Sequence, residues 1–259
     1  ISGNRCQQKQ PEEKNVANGT ELRGIALEIL LEITQEKEYS HLAIRNALNK
    51  VQYLPKQDRA FINRLVEGTL EYMLRIDYVL NQFSSVRVNK MKPVIRNILR
   101  SGVYQLMFMD SVPDPAACNE AVKLAQKKGF YSLKGFVNGV LLNIARELPD
   151  RKFEDLSIQY STPKWIVDQW ISEYWEEKAT QMLADQYWDK PTTIRVNLSK
   201  ISRDELAARL EEEGAQVQTV DEADCALAIS GYDYLRALPS FSDGLFQVQD
   251  VSPMQPALM

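Results

Sequence analysis

The chain has 259 residues, of which 44% are hydrophobic and 25% are charged, and its net charge is −4. This composition is typical of a folded globular protein of about two domains, and it excludes collagen-like, low-complexity and disulfide-rich classes. Three widely spaced cysteines, Cys6, Cys118 and Cys225, support neither a disulfide framework nor a zinc site. They favour a protein of the reducing cytoplasm.

The charge is distributed unevenly along the chain. Up to Asp150 there are 21 Lys and Arg against 16 Asp and Glu, and from Arg151 onward there are 10 against 19. A basic first half favours contact with a polyanion, although two ordinary solvated surfaces would give the same pattern. No uncharged apolar stretch reaches the roughly 18 residues of a membrane helix, so no membrane span is predicted.

Residues 1–19 are polar and lack the apolar segment of a signal peptide, which predicts a flexible arm. From residue 20 to 150 apolar side chains recur at helical spacing, for example Leu22, Ile25 and Ile29. Alternation with a period of two is scarce over the same stretch. The pattern predicts an all-helical bundle with short connections between antiparallel neighbours.

After Pro149 the pattern changes. Thr162 and Pro163 predict the start of a helix that carries the rings of Trp165, Trp170, Tyr174 and Trp175. The four-residue spacing of Ile166, Trp170 and Tyr174 predicts that most of these rings are packed rather than exposed. The segment TTIRVNL predicts a strand, Ser202 and Glu205 form a capping box that begins another helix, and AQVQTV predicts a second strand. Residues 151–240 are therefore predicted to form a small α+β domain that begins with a βαβ unit.

The segment GLFQVQDVS, from Gly244, alternates apolar and polar residues and predicts a further strand. Since the chain then ends, residues 241–259 are interpreted as the start of a separate domain. The predicted fold class is mainly α: a helical bundle, a small α+β domain and the first strand of a domain that lies beyond this chain.

Five stretches of the first half resemble NusB-like helical domains, in the same order and with similar gaps. They are RGIALEIL, DRAFINRLVEGTL, IRNILRSGVYQLMFMD, VPDPAACNEAVKLAQKKG and FVNGVLLNIAR. In the second half YSTPKWIVDQW, TIRVNL and GLFQVQDVS follow. This succession resembles the region that leads into the methyltransferase domain of the Sun/RsmB family, the small-subunit ribosomal RNA 5-methylcytosine methyltransferases.

The resemblance implies that the intact protein uses S-adenosylmethionine and a cysteine nucleophile that attacks the target base. No cysteine of this chain follows a proline, as the family's thiols do, and no cluster of glycines follows GLFQVQD. Cys118 and Cys225 lie in apolar runs that predict packing. This chain alone is therefore expected to bind no cofactor, to contain no catalytic residue and to be inactive, with the catalytic domain beyond Met259.

The expected binding partner of this chain is small-subunit ribosomal RNA. Proteins of this kind bind the phosphates of RNA through Lys and Arg side chains. Arg195 and Asn197 are two residues apart in the predicted strand TIRVNL, so both are expected to project from the same face of it. They are included because the family has this Arg-x-Asn near its RNA and methyltransferase junction. Arg96 and Arg100 are four residues apart and so share a helix face, as do Lys123 and Lys127. The predicted RNA-binding residues are Arg23, Arg96, Arg100, Lys123, Lys127, Lys128, Lys134, Arg195 and Asn197.

His41 is the single histidine and has no partners for a metal site or a catalytic triad, so no metal is predicted. One alternative function stays open, a non-catalytic NusB-like adaptor for RNA binding or antitermination that also holds a protein partner. A helical protein-interaction module without a nucleic-acid role is a further alternative.

Overall fold

The structure, a computed structural model, describes residues 19–147, 153–186 and 191–258. The chain divides into two compact units, the first ending at Asp185 and the second beginning at Gln186. The domain boundary at residues 150 and 151, predicted from composition, lies outside the described residues. The two helices that follow it belong to the first unit.

The first unit consists of helices and contains the whole stretch predicted to be helical. Its α-helices are α1 (Gly19–Glu36), α2 (Ser40–Lys50), α3 (Lys56–Glu71), α4 (Met73–Phe83), α5 (Pro93–Phe108), α6 (Asp114–Lys127), α7 (Lys134–Glu147), α8 (Leu156–Gln159) and α9 (Lys164–Asp185). Short 3-10 helices occupy Val88–Lys90 and Tyr131–Leu133.

Helix α5 forms the centre of the first unit and packs against α1, α3, α4, α6 and α7. It begins at Pro93, where the missing N–H of proline costs little. Ile98, Leu99 and Val103 on this helix are fully buried, as the helical spacing of apolar residues predicts. Burial of α5 on all sides also encloses polar residues, among them Asn97 and Arg100.

Helix α9 is interrupted at Trp175, whose φ of 56° lies in the left-handed region that non-glycine residues rarely adopt. The prediction that its rings pack is wrong for Trp165, Tyr174 and Trp175, which are exposed. The buried side chains of α9 are Val167, Ala179 and Leu183. Ala179 and Leu183 are themselves four residues apart, so this spacing alone does not distinguish the buried face of the helix from the exposed one.

The second unit is a four-stranded antiparallel sheet with helices. Its elements are β1 (Thr192–Val196), α10 (Arg203–Glu212), β2 (Gln216–Thr219), β3 (Ala226–Ser230), α11 (Pro239–Ser242), β4 (Phe246–Val248) and α12 (Gln255–Leu258). The strand order is β2-β3-β1-β4. Ile194 of β1 lies opposite Leu227 of β3, and both pack with Leu206 and Leu210 of α10 in one buried cluster.

Strands β1 and β2 are both antiparallel to β3, which lies between them, so the predicted βαβ unit is present in split form. One strand assignment made from the sequence needs correction. Strand β4 does not stand apart as the start of another domain: Arg195 of β1 pairs with Gln247 of β4, which places β4 at the edge of the same sheet. Strand pairing joins residues far apart in sequence, and alternation alone does not identify the partner. The predicted mainly α chain with a small α+β region is otherwise confirmed.

Candidate RNA interface

Four of the predicted cations, Lys123, Lys127, Lys128 and Lys134, lie around the connection between α6 and α7. Lys127 ends α6 and Lys134 begins α7; both are exposed, and neither forms an ion pair within the described residues. Lys123 is bound by Glu120 at 2.7 Å, and Lys128 is bound by Glu28 of α1. Surface ion pairs of this kind are worth little and exchange readily for other anions. The structure thus brings four of the predicted residues to one surface.

Two aromatic residues that were not among the predicted RNA-binding residues, Phe130 and Tyr131, lie between Lys127 and Lys134 in the chain. Tyr131 is 66% exposed, between Lys127 and Lys134 in the chain. The ammonium of Lys92, at the start of α5, lies 5.4 Å from the ring centroid of Phe130 and so adds a further cation. We call Lys92, Lys127, Phe130, Tyr131 and Lys134 the α6–α7 loop surface. In the sequence, this surface could have been predicted from the adjacent rings Phe130 and Tyr131, which lie between the basic ends of two helices.

Arg23 is half-buried and already engaged inside the first unit. Its Nε donates to the side chain of Gln105 at 2.7 Å, and Nη1 donates to the carbonyl of Gly19 at 3.0 Å. The guanidinium also lies 4.9 Å from the ring centroid of Phe61. Burial lowers the pKa of Arg23, and the charge of Glu120 partly opposes this. These contacts hold the first turn of α1 against α5.

Arg100 cannot take the role predicted for it. Its side chain lies in the interior, with the residue 8% exposed. Nε and Nη2 donate to the two carboxylate oxygens of Asp77 at 2.7 and 2.6 Å, and Nη1 donates to Asn97 at 3.3 Å. The helical spacing of Arg96 and Arg100 correctly put them on one side of α5, but that side faces α4.

Arg96 is half-buried beside this pair. Its Nε is buried and forms no hydrogen bond within the described residues. Burial lowers the pKa of Arg96, the neighbouring positive charge of Arg100 lowers it further, and Asp77 opposes both. The RNA contact of Arg96 stays a prediction.

The two residues predicted in the second unit have different environments. Arg195 is exposed, on the face of β1 opposite the buried Ile194 and Val196. Asn197 lies beyond the end of β1, where its Nδ2 donates to the carbonyl of Gly244 at 3.1 Å and its Oδ1 accepts from Ser199 at 2.6 Å. The expectation that both project from one strand face is wrong, because β1 ends at Val196. Asn197 instead ties the end of β1 to the turn before β4.

Both parts of the chain match known protein families. Residues 20–146 match the NusB family, and residues 162–232 match the ferredoxin-like domain described as Methyltr_RsmF/B-like. The chain carries a NusB domain followed by an RsmF/B-like ferredoxin-like domain. The resemblance predicted from the sequence is thereby confirmed.

Relatives match across both domains. The chain is 34% identical over 246 residues to the probable ribosomal RNA small subunit methyltransferase B of Bacillus subtilis, with 91% of this chain and 53% of the relative covered. It is 31% identical to the protein of the same name from Synechocystis, covering 89% and 53%. The chain thus spans about half the length of these relatives.

The arrangement of the fold also has a counterpart among solved structures. The crystal structure of PH0851 matches 92% of this chain and 54% of its own chain, with a TM-score of 0.67 and 21% sequence identity. At this identity the likeness concerns the fold. It extends over both the NusB domain and the ferredoxin-like domain.

The cysteines of the two domains have the environment of packing residues, as predicted. Cys118 of the NusB domain and Cys225 of the ferredoxin-like domain are both buried. Burial raises the pKa of the Cys118 thiol, and the charge of Asp114 raises it further, which opposes formation of a nucleophilic thiolate. In the described part of the chain, no cluster of three or more His, Cys, Asp or Glu could hold a metal. No described helix is long and apolar enough to cross a membrane.

Proposed function

We propose that this chain forms the RNA-recognition portion of a ribosomal RNA small subunit methyltransferase that methylates C5 of a cytidine using S-adenosylmethionine. One observation carries the proposal: the match to proteins of that name runs through both domains and covers 91% of this chain. A free NusB-type factor would account for the helical domain but not for the ferredoxin-like match over residues 162–232.

The contribution of this chain is to hold RNA rather than to carry out chemistry. On the α6–α7 loop surface, Lys127 and Lys134 contact phosphates and Tyr131 stacks on an unpaired base. Lys123 and Lys128 exchange their carboxylate partners for phosphates as RNA approaches. Arg195 contacts RNA from the exposed face of the ferredoxin-like sheet. Phosphate contacts of this type fix the position of the RNA and carry little sequence information.

The described residues do not fit a methyl-transfer centre. The attacking thiol must ionise and reach a base that has left its stack, whereas Cys118 and Cys225 are buried. We therefore assign cofactor binding and catalysis in the intact protein to the half of the relatives that this chain does not span. From the reduced cysteines and the ribosomal substrate we infer a cytoplasmic location.

The test is a titration of this chain with a small-subunit ribosomal RNA fragment at several salt concentrations, with unrelated RNA as competitor. We expect an affinity that falls steeply with salt, because binding releases counterions from the RNA, and that survives the competitor. Absence of salt-dependent binding would refute RNA recognition by these domains. Methylation of the same RNA by the intact protein with labelled S-adenosylmethionine separates the enzyme from the adaptor alternative, which predicts RNA binding without methyl transfer.

A further inference from the structure

Helix α2 and the segments that flank it form a second surface with the chemistry of an RNA-binding site. Between Glu38 and Asp58 the chain contains no carboxylate, while it contains Arg45, Lys50 and Lys56 as well as His41. Within the described residues, no carboxylate forms an ion pair with any of these three cations. The positive charge of this segment of 19 residues is therefore not offset by any carboxylate within it.

The orientation of α2 places these groups together on the outside. Ala43 and Ile44 are buried, and the helix packs against α1 and α3. Arg45 and Asn49 are exposed one turn apart on the outer side of the helix, and Lys50 is exposed in its last turn, so α2 presents two cations and an amide to solvent. Amide side chains can hydrogen bond to base edges and to sugars, whereas Lys and Arg bind phosphates.

An exposed tyrosine lies at each end of the helix. Tyr39 immediately precedes α2 and is 71% exposed, and Tyr53 follows it and is 75% exposed. The ring of Tyr39 also lies 5.9 Å from the ring of His41. Aromatic rings are normally buried for the free energy that this yields, so exposed rings beside cations are typical of surfaces on which unpaired bases stack.

We infer that α2 and its flanking segments form a second contact surface for unpaired RNA, separate from the α6–α7 loop surface. We call Tyr39, Arg45, Asn49, Lys50, Tyr53 and Lys56 the α2 surface. Helix α2 packs against α1 and α3, and α7 packs against α4, α5 and α6, so the two surfaces belong to different parts of the helical bundle. The inference rests on the proposed function, and it adds that the NusB domain holds RNA at two places.

The experiment compares two variants of the full chain in titrations with a small-subunit ribosomal RNA fragment. Arg45→Ala with Lys50→Ala removes two phosphate contacts and should lower the slope of log affinity against log salt by about 1.4. Tyr39→Ala with Tyr53→Ala removes stacking and should weaken binding about fivefold or more at one salt concentration. All four side chains are exposed, so circular dichroism and thermal unfolding should match the wild type.

Conservative variants serve as matched controls. Arg45→Lys with Lys50→Arg keeps the charge and should keep the salt slope, and Tyr39→Phe with Tyr53→Phe keeps the rings and most of the affinity. Irradiation of RNA that contains 5-iodouridine should give crosslinks to the peptides with Tyr39 or Tyr53.

The possible failures are distinguishable. If the wild type binds, and Lys127→Ala with Lys134→Ala weakens binding while both α2 variants bind like the wild type, the α2 surface is not an RNA contact. If the wild type itself shows no salt-dependent binding, the proposed function fails and the second surface fails with it.

Discussion

Arg100 of α5 and Asp77 of α4 form a two-pronged ion pair, with Nε–Oδ1 and Nη2–Oδ2 distances of 2.7 and 2.6 Å. The network continues from Arg100 to Asn97, from Asn97 Nδ2 to Thr34 Oγ1 at 2.9 Å, and from Thr34 to the carbonyl of Leu30. It therefore links α4, α5 and α1 through the buried Asn97 and Arg100 and the partly buried Asp77 and Thr34. Such a network stabilises the fold only while all of its groups are paired, because a buried charge without its partner lowers the free energy of unfolding.

Loss of either partner of this ion pair should destabilise the helical unit strongly. We expect Asp77→Ala and Arg100→Ala each to lower the free energy of unfolding by about 3 kcal/mol, since each leaves an unpaired charge. The double variant should cost less than the sum of the two because it removes both charges. Urea unfolding followed by circular dichroism at 222 nm measures all three values.

The exposed pair of Lys164 and Asp168, at 3.0 Å, is the control for this cycle. Lys164→Ala should change the free energy of unfolding by only about 0.5 kcal/mol, as is usual for exposed pairs along a helix. Additive effects of Asp77→Ala and Arg100→Ala would contradict the coupling inferred from the distances.

The α6–α7 loop surface makes a separate prediction for RNA binding. Lys127→Ala with Lys134→Ala should lower the salt slope by about 1.4 and leave the free energy of unfolding nearly unchanged, because both side chains are exposed. The matched control, Lys178→Ala with Arg236→Ala, removes two exposed charges from elsewhere in the chain. Equal slopes for the two double variants would show that net charge, rather than this surface, determines the binding.

Local features of the fold could be predicted from the sequence. The capping box of α10 is one: Ser202 Oγ accepts from the N–H of Glu205, and Glu205 accepts from the N–H of Ser202 at 3.1 Å. Helices of the bundle followed from the spacing of apolar residues. By contrast, the pairing of β4 with β1 and the ion pair of Arg100 with Asp77 join distant residues, and neither helical spacing nor alternation contains that information.

Predictions about the candidate site were limited for the same reason. Helical spacing grouped Lys123 with Lys127 correctly, but it could not distinguish the buried Arg100 from an exposed arginine. Likewise, Glu213 ends a run of three glutamates that composition alone would place in solvent, but its carboxylate accepts from Ser240 Oγ at 2.7 Å. Exposure of a charged side chain depends on the element packed above it, which composition does not show.

Gly68 of α3 makes a prediction about packing. A Cβ at this position would lie 2.0 Å from the Tyr104 ring, far inside a normal contact distance. Gly68→Ala should therefore destabilise the unit by about 1–3 kcal/mol despite the better helix propensity of alanine. Gly139→Ala on α7 is the control, because a Cβ there meets no described atom within 4 Å; it should raise stability by up to about 1 kcal/mol. Thermal unfolding of both variants checks the opposite signs.

Glu120 of α6 should make stability depend on pH in the acid range. Burial alone would raise its pKa, but hydrogen bonds from Lys123 and Thr20 and the charges of Lys123 and Arg23 outweigh burial and lower the pKa below its ordinary value. A carboxyl group with a lowered pKa in the folded state stabilises the protein above its unfolded pKa of about 4.3, and this stabilisation is lost as pH falls through the folded pKa.

We therefore expect Glu120→Gln to be less stable than the wild type at pH 7 and the difference to shrink as pH falls below about 4. Other carboxylates are shared by the two proteins and largely cancel in the comparison. Lys123→Met removes the first of these stabilising partners and should reduce the same pH-dependent difference. Urea unfolding from pH 7 to pH 3 measures it; a wild-type advantage that stays constant over that range would mean that Glu120 stabilises the fold through packing rather than through its charge.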